Sequence, residues 1–356
     1  METETKSEDR GFDAASISPK TVTRLKIAAG LLTAAGIALF AYFVYTVGFH
    51  EIVDGVGNIG FAGFGLILLI YFLRICMRAW AWKLSVYEPY SLTLRDTIPA
   101  VIIGEAMSSM IPLGILVSGT TKAIAVRKRL PLVVGLSSVA TENLFYSLVT
   151  SIFLVLGAFT FLRSFDLDEG WIITIDVLIG VIGVVVVLGM LMVVRQWHFV
   201  SETCQLLYQI GFARTLLENG RLEVRLFENL IYGFYRRYPG RFLPICLLEA
   251  AFHLLGILEV WFILSKISEA VPHIVTAFLL ESVSRLITIV FKLVPFVIGV
   301  DEAGARYITE TLAIGAGIGV TLAIIRKGRI LFWTAVGLIF ILKRGLSIRD
   351  ITAGRR

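Results

Sequence analysis

The sequence predicts an all-α fold, a polytopic helical membrane protein with seven or eight transmembrane helices. Of its 356 residues 57% are hydrophobic, and the mean hydropathy is +0.83, whereas about 45–50% apolar residues is usual for a soluble domain. Apolar runs close to the spanning length of about 20 residues recur along the chain. Two of these runs are broken by proline and glycine, which predicts two re-entrant segments in a two-repeat arrangement.

The charge distribution predicts the orientation of the chain and argues against nucleic-acid binding. The net charge is +6, but the cations cluster in short loops between apolar runs, as in other membrane proteins. Lys20, Arg24 and Lys26 precede the first apolar run, 27–47. We therefore expect a protein of the cell membrane whose N-terminus is on the cytoplasmic side. The three cysteines are widely spaced and form no metal-ligand pattern, and no metal or cofactor is predicted.

Composition also divides the chain. Residues 1–20 are polar and predict a disordered cytoplasmic tail rather than a signal peptide. The transmembrane domain is predicted over 21–345, and the arginine-rich stretch 195–241 inside it as a cytoplasmic helical connector lying in the interface. A basic tail follows over 346–356. The last apolar run, 308–342, contains three cations and fits either two short helices or one long helix, which leaves the span count open.

Two arginines mark the second apolar run, 59–84. Arg74 and Arg78 are four residues apart and share a helix face, and Trp82 lies one turn further on. One interpretation is an interfacial belt with snorkelling arginines. The other is a clamp for the phosphate of a lipid headgroup.

The first broken run is 97–119. It is apolar enough to enter the membrane, but Pro112, Gly114 and Gly119 interrupt it, and cations lie on both sides, among them Lys122. If both ends are cytoplasmic, the segment is a re-entrant hairpin, and the alternative is a single kinked helix.

The next run carries a polar stripe with a period of four residues, which places the stripe on one helix face. Such a stripe favours the interior of a bundle or an aqueous path. Its members are Ser138, Glu142, Tyr146 and Thr150.

Two further pairs of polar residues show helical spacing. Glu249 and His253 are four residues apart and could pair. Glu281 and Arg285 stand in the favourable order for an ion pair at this spacing, and both are expected to point inward.

The second broken run, 292–306, is the most charged part of this apolar region. It contains Pro295, Gly299 and Glu302 and ends at Arg306. The two broken runs show a short internal similarity in which Pro295 aligns with Pro112 and a cation follows about ten residues after each proline. Broken segments at corresponding positions of two halves are typical of a transporter site near the membrane midplane.

Several of these motifs also match a known pattern: an arginine with tryptophans, a Pro–Gly break followed by a lysine, an acidic residue in the following helix, and a late Pro…Gly-Val-x-Glu segment with an arginine downstream. The residues are Arg78, Trp80, Trp82, Pro112, Gly114, Gly119, Lys122, Glu142, Asn143, Pro295, Gly299, Val300, Glu302 and Arg326. Over roughly 20–345 the chain resembles the transmembrane region of lysylphosphatidylglycerol synthases and its stand-alone flippase-like relatives, most specifically in the last segment.

Three positions depart from that pattern and bear on the headgroup interaction. Thr120 stands where an acidic residue is usual, Lys122 lies one position early, and Asn143 replaces an arginine. The resemblance implies lipid handling without lysine transfer, because the soluble aminoacyl-transferase domain is not part of this sequence.

The sequence therefore predicts a flippase-like transporter that translocates or binds an amphiphilic lipid (phospholipid, glycolipid, polyprenyl or hopanoid). No catalytic motif is present, so an enzyme is not expected. The alternatives are an accessory subunit of a lipid-synthesis pathway, a membrane enzyme acting on lipid phosphates, and a proton-coupled transporter of small solutes. Expected partners are membrane lipids with an anionic headgroup, and self-association or lipid-synthesis enzymes stay open. The predicted headgroup-binding residues are Arg74, Arg78, Trp82, Lys122, Glu142, Tyr146, Glu281, Arg285, Glu302 and Arg306, with hinges at Pro112, Gly114, Gly119, Pro295 and Gly299.

Overall fold

The described part of the chain is helical and contains no strand. The computed structural model describes residues 42, 45 and 49–343, the last range with gaps at 111–113, 165–168, 196–198, 210–224, 226–228, 230, 269–271, 292–293 and 313. The predicted tails and part of the predicted connector (196–198, 210–224, 226–228 and 230) lie outside these residues. The main helices are α1 (Phe49–Ser85), α2 (Leu94–Met110), α3 (Gly114–Ala125), α4 (Leu132–Ser164), α5 (Glu169–Arg195), α6 (Phe199–Gln209), α7 (Phe242–Ile267), α8 (Ile274–Val290), α9 (Val300–Thr311) and α10 (Ala316–Lys343). Residues 231–237, in the predicted connector, are also helical.

Long apolar helices confirm the predicted all-α membrane fold. Among the described residues, three stretches are long and apolar enough to cross a membrane: Val56–Ser85, Leu132–Arg163 and Pro239–Ile267. They fall in α1, α4 and α7. On α5, Ile173 and Val177 leave more than half of their surface exposed, as expected of a helix that faces lipid.

From Ala316 onward, the last apolar run is one continuous helix, α10, of 28 residues, and the cations of the run lie inside it. The interpretation as two short helices joined by a loop is therefore wrong. Arg326 and Arg329 lie inside α10 and are buried, because they face the protein interior rather than a cytoplasmic loop.

The first broken run is a helical hairpin. α2 and α3 have 17 and 12 residues, and a 17-residue helix is about 25 Å long, shorter than a hydrocarbon core of about 30 Å. The two helices pack closely, because a Cβ at Gly104 would lie 2.8 Å from Lys122 Cγ and 3.2 Å from Ser118 O. The hairpin is thus correct and the single kinked helix is wrong, while Pro112 lies outside the described residues.

The second broken run has the same form. α8 and α9 have 17 and 12 residues, joined through a 3₁₀ turn at Pro295–Val297. In this connection Phe296, Val297 and Gly299 adopt positive φ angles of 54°, 50° and 83°, which is uncommon for the first two. Glu302 fixes the start of α9, because its Oε2 accepts the Gly299 N–H at 2.8 Å.

The two halves of the chain repeat one arrangement. In each, a long helix is followed by a helical hairpin and a second long helix, α1 to α4 and α7 to α10. The packing partners repeat as well: α1 contacts α2, α4 and α10, and α7 contacts α8, α10 and α4. The hairpin helix α8 packs on α4, and its counterpart α2 packs on α10. The predicted two-repeat arrangement is therefore present.

The repeats are inverted relative to each other. Ile67 shares a core cluster with Val260, whereas Ala81, further along α1, clusters with Ile245, earlier in α7. The first helices of the two repeats are therefore antiparallel. Each hairpin begins at the end of the long helix before it, so the two hairpins point in opposite directions.

Gly319 sets the distance between α9 and α10, and its substitution is a test of this packing. A Cβ there would lie 2.5 Å from Ala305 O and 2.5 Å from Thr309 Oγ1. We expect Gly319→Ala to destabilise the protein by about 1–3 kcal/mol through overpacking, measured as a lower midpoint of thermal unfolding in detergent. Gly180→Ala is the matched control, because no described heavy atom lies within 4 Å of the position that a Cβ would take there. Equal midpoints for the two variants would contradict the close approach.

Candidate functional site

A cavity of about 300 Å³ lies where the two hairpins meet between the long helices. The turn of the second hairpin packs directly against α2, and both this turn and the end of α2 contribute to the wall. The lining residues are Tyr71, Arg74, Arg78, Glu105, Ser108, Ser109, Ser118, Lys122, Asn143, Tyr146, Ser147, Phe252, Ser284, Arg285, Thr288, Val294, Phe296, Val297, Asp301, Arg326, Arg329 and Ile330.

The wall of this cavity is strongly cationic. Among the described residues it carries six cations but only two carboxylates, Glu105 and Asp301. Hydroxyl and amide side chains fill much of the remaining polar wall. The cations are Arg74, Arg78, Lys122, Arg285, Arg326 and Arg329.

Glu281 on α8 holds three of these arginines from behind the wall. It is fully buried, and its Oε1 accepts hydrogen bonds from Arg74 Nη2 at 2.9 Å and Arg285 Nη2 at 2.8 Å. Its Oε2 accepts one from Arg326 Nη2 at 2.8 Å. The predicted ion pair between Glu281 and Arg285 is confirmed. Gly256 on α7 makes room for it, because a Cβ there would lie 2.5 Å from Glu281 Oε1.

Glu259 on α7 plays the same part for two arginines. Its Oε2 accepts a hydrogen bond from Arg74 Nη1 at 3.2 Å, and its Oε1 accepts one from Arg329 Nη1. The Arg329 guanidinium also lies 4.1 Å from the centre of the Tyr71 ring, where the π face attracts a cation. These contacts fix the guanidinium planes before any ligand arrives.

In the first repeat the carboxylate is Glu142 on α4. Arg78 Nε donates to its Oε1 at 2.9 Å, and Lys122 Nζ lies 3.8 Å from its Oε2. Arg78 also donates to Asn143 Oδ1 at 3.2 Å and stacks 4.2 Å from the centre of the Tyr146 ring. Arg78 is thus oriented by three neighbours on one helix.

The two repeats carry opposite charge patterns. In the first, cations from α1 and α3 converge on a carboxylate of α4. In the second, cations of α10 are held by carboxylates of α7, α8 and α9, through Arg329–Glu259, Arg326–Glu281 and Lys327–Glu302. Three buried carboxylates, Glu142, Glu259 and Glu281, therefore support all six cations of the wall.

Nearly the whole chain matches one protein family. The family described as "Lysylphosphatidylglycerol synthase TM region" matches residues 27–337, nearly the whole chain. The protein belongs to this family. No curated protein and no solved structure matches the chain. The lysylphosphatidylglycerol synthase TM region is a membrane domain, which agrees with the helices described above, and the resemblance drawn from the motifs is confirmed.

For this family member, half of the predicted headgroup-binding residues line the cavity: Arg74, Arg78, Lys122, Tyr146 and Arg285. Arg74 is almost completely buried, and Arg78 faces the cavity, so neither belongs to a snorkelling interfacial belt. Glu142, Glu281 and Glu302 lie behind the wall, where they hold its cations or the second turn.

Two predicted residues take other positions. Trp82 is buried in packing, and its Nε1 donates to Ser138 Oγ at 2.9 Å. Arg306 pairs with Glu310 on its own helix, Nε to Oε1 at 2.8 Å, and does not line the cavity. Of the predicted hinges, Gly299 has the positive φ noted above and Pro295 lies in the turn. Gly114 begins α3, and Gly119 lies inside it.

One predicted pair is wrong. His253 Nε2 lies 3.0 Å from Thr150 Oγ1, so its partner is a residue of the polar stripe and not Glu249. The ring also stacks on Phe153, with centroids 4.6 Å apart. Residues four apart on a helix are close to each other, but the His253 side chain turns toward α4 and contacts Thr150 and Phe153 there.

Sequence reasoning missed the contribution of Glu105, Tyr71 and Arg329 to the wall. Tyr71 OH donates to Glu105 Oε2 at 2.9 Å, across two helices. A local signal existed, because Tyr71, Arg74 and Arg78 recur at helical spacing on one face of α1. Arg326 and Arg329 likewise share one face of α10. Their separation of three residues predicts this, because residues three apart on a helix are neighbours.

Proposed function

We propose that the protein is a flippase-like transporter that moves the anionic headgroup of an amphiphilic lipid through this cavity, in the cell membrane and with a cytoplasmic N-terminus. The observation that carries the proposal is the cationic wall between two inverted hairpins. Arginine is suited to such a site because its planar donors fit phosphate oxygens. We propose transport rather than catalysis, since the wall is arranged for binding charge.

The size of the cavity supports a headgroup rather than a whole lipid. A volume of about 300 Å³ is at the lower end of small-molecule sites. The acyl or isoprenoid chains of the lipid would therefore stay in the surrounding bilayer. The apolar, exposed outer surfaces of the long helices are compatible with that arrangement.

The inverted hairpins suggest how the headgroup changes sides. Lys122 and Arg78 belong to the first repeat, and Arg285 and Arg326 to the second, so the cavity offers one set of cations toward each hairpin. If the hairpins open alternately, the headgroup passes from one set of cations to the other and stays in contact with positive charge throughout. In transporters with inverted repeats, alternating access around a fixed central site follows the same logic.

A translocation assay tests the proposal. In vesicles that contain the purified protein and fluorescent phosphatidylglycerol, we expect Arg78→Ala and Arg285→Ala to slow transbilayer movement about ten- to a hundredfold. That range corresponds to about 1.5–3 kcal/mol for a hydrogen bond to a charged group. Arg163→Ala is the matched control, because Arg163 lies exposed near the end of α4. Translocation at the wild-type rate in both cavity variants, with folding intact, would overturn the proposal.

A further inference from the structure

A second carboxyl group, that of Glu249, lies near the Arg78–Glu142 ion pair of the first repeat. Glu249 on α7 is fully buried. Among the described residues, no donor lies within hydrogen-bond distance of either of its oxygens, or of Glu142 Oε2. Ile245, one turn before Glu249 on α7, packs in one cluster with Phe145 of α4. Phe252, one turn after it, has its ring 5.8 Å from the Arg78 guanidinium and 5.9 Å from the Tyr146 ring, so α7 presents the Glu249 carboxyl group toward Glu142.

The contact between these two groups requires a proton. An ionised carboxylate only accepts hydrogen bonds, so two ionised carboxylates that face each other in a buried site repel and leave their oxygens unsatisfied. If one carboxyl is protonated, its O–H donates to the other and both are satisfied. Arg78 already donates to Glu142 Oε1 through Nε at 2.9 Å, so Glu142 is the ionised partner. The proton then belongs to Glu249, which donates to Glu142 Oε2.

We propose that Glu249 is a proton-binding site coupled to anion binding in the cavity, so that a headgroup binds together with a proton on Glu249. The ligand in this inference rests on the proposed function. With Glu249 protonated, the two cations Arg78 and Lys122 face the single charge of Glu142, which leaves one positive charge for a monoanionic headgroup. When Glu249 loses its proton to water, the four groups become neutral and the headgroup is released more easily.

Thermodynamic linkage makes this coupling reciprocal. A headgroup in the cavity favours the proton on Glu249, and the proton favours the headgroup to the same extent. A proton gradient across the membrane then biases the side on which the headgroup dissociates. The carboxyl pair therefore supplies a route for driving transport uphill.

Other titratable groups face Glu249 and enter the design of the test. They are Arg78 on α1, Lys122 on α3, Glu142 on α4, and Cys246 on α7. His253 lies one turn further along α7. A histidine ordinarily titrates close to neutral pH, so its contribution to any pH dependence is separated by its own variant, His253→Gln, which retains a polar partner for Thr150.

The proton itself is tested by infrared spectroscopy of the purified protein without ligand. We expect the carbonyl stretch of a protonated carboxyl group at neutral pH, lost in Glu249→Gln and kept in the control Glu310→Gln, whose side chain is at the surface. The glutamine amide can donate to Glu142 Oε2 in place of the carboxyl O–H, so the variant retains the local contact. The absence of this band in the wild-type protein would overturn the inference, whatever the translocation assay gives.

The coupling is tested by the affinity for short-chain phosphatidylglycerol, whose phosphodiester keeps its charge, from mildly acidic to mildly alkaline pH. We expect the affinity of the wild type to fall about tenfold as the pH rises, within the usual range of coupling. Glu249→Gln should bind with the high affinity across the whole range, and His253→Gln should retain the pH dependence. A flat profile in the wild type, or an unchanged slope in Glu249→Gln, would overturn the coupling. Failure of translocation with the infrared band present would instead count against the proposed function alone.

Discussion

Glu281→Gln is expected to destabilise the protein by about 3–5 kcal/mol, the usual effect of removing one partner from a buried ion pair. The substitution leaves Arg74, Arg285 and Arg326 without the carboxylate that holds them at 2.8–2.9 Å. Arg74 keeps Glu259, but Arg326 has no other carboxylate at ion-pair distance among the described residues. The midpoint of thermal unfolding in detergent, followed by tryptophan fluorescence, measures the effect.

A control variant and a double variant show whether the lost stability of Glu281→Gln comes from the unpaired arginine charges. Glu310→Gln removes a carboxylate from a half-exposed pair and is expected to cost less than about 1 kcal/mol. In the Glu281→Gln background, Arg326→Gln removes one of the orphaned charges and should recover part of the lost stability. A double variant less stable than Glu281→Gln alone would show that Arg326 does not depend on this carboxylate.

Local patterns were sufficient to predict the breaks and the pairs within one helix. The proline and glycine positions divided two apolar runs where α2 ends before α3 and α8 before α9. The spacing of Glu281 and Arg285 gave their contact, since residues four apart on a helix are neighbours in any fold. The same rule applied to Arg306 and Glu310 would have placed Arg306 on its own helix and away from the cavity.

The partners between helices could not be read from the sequence. Arg74 contacts Glu259 and Glu281, which lie 185 and 207 residues further along the chain. Their meeting depends on the rotation and height of α1 against α7 and α8, which side-chain periodicity does not specify. Trp82 illustrates the same limit, because an aromatic residue at the end of an apolar run fits an interfacial belt and a buried hydrogen bond to Ser138 equally well.

The two repeats place their cations on different helices, on α1 and α3 in the first and on α10 in the second, and this suggests different roles. In the first repeat the headgroup would meet Arg78 and Lys122 directly, with one carboxylate behind them. In the second, α10 supplies the cations, and one of them, Lys327, is directed away from the wall toward the turn that closes the second hairpin. On the proposed function, the second repeat would both contact the headgroup and hold the turn of its own hairpin.

Lys327→Met is expected to destabilise the second hairpin most directly. Lys327 Nζ lies 2.9 Å from Glu302 Oε1 and 3.9 Å from Asp301 Oδ2, and it donates to Val297 O at 3.5 Å. Without it, Glu302 becomes a buried charge whose remaining partner is the Gly299 N–H at 2.8 Å, and the turn with positive φ loses a contact. We expect a loss of about 3 kcal/mol, again measured by thermal unfolding, whereas Lys343→Met at the exposed end of the same helix should leave the midpoint nearly unchanged.

The double variant Lys327→Met with Glu302→Gln identifies the cause. Glutamine at 302 can still accept the Gly299 N–H and carries no charge, so the start of α9 is preserved while the unpaired carboxylate is removed. We expect the double variant to be more stable than Lys327→Met alone, with a coupling of about 1–3 kcal/mol between the two sites. Strictly additive effects would mean that Lys327 acts on the turn through Val297 O and not through Glu302.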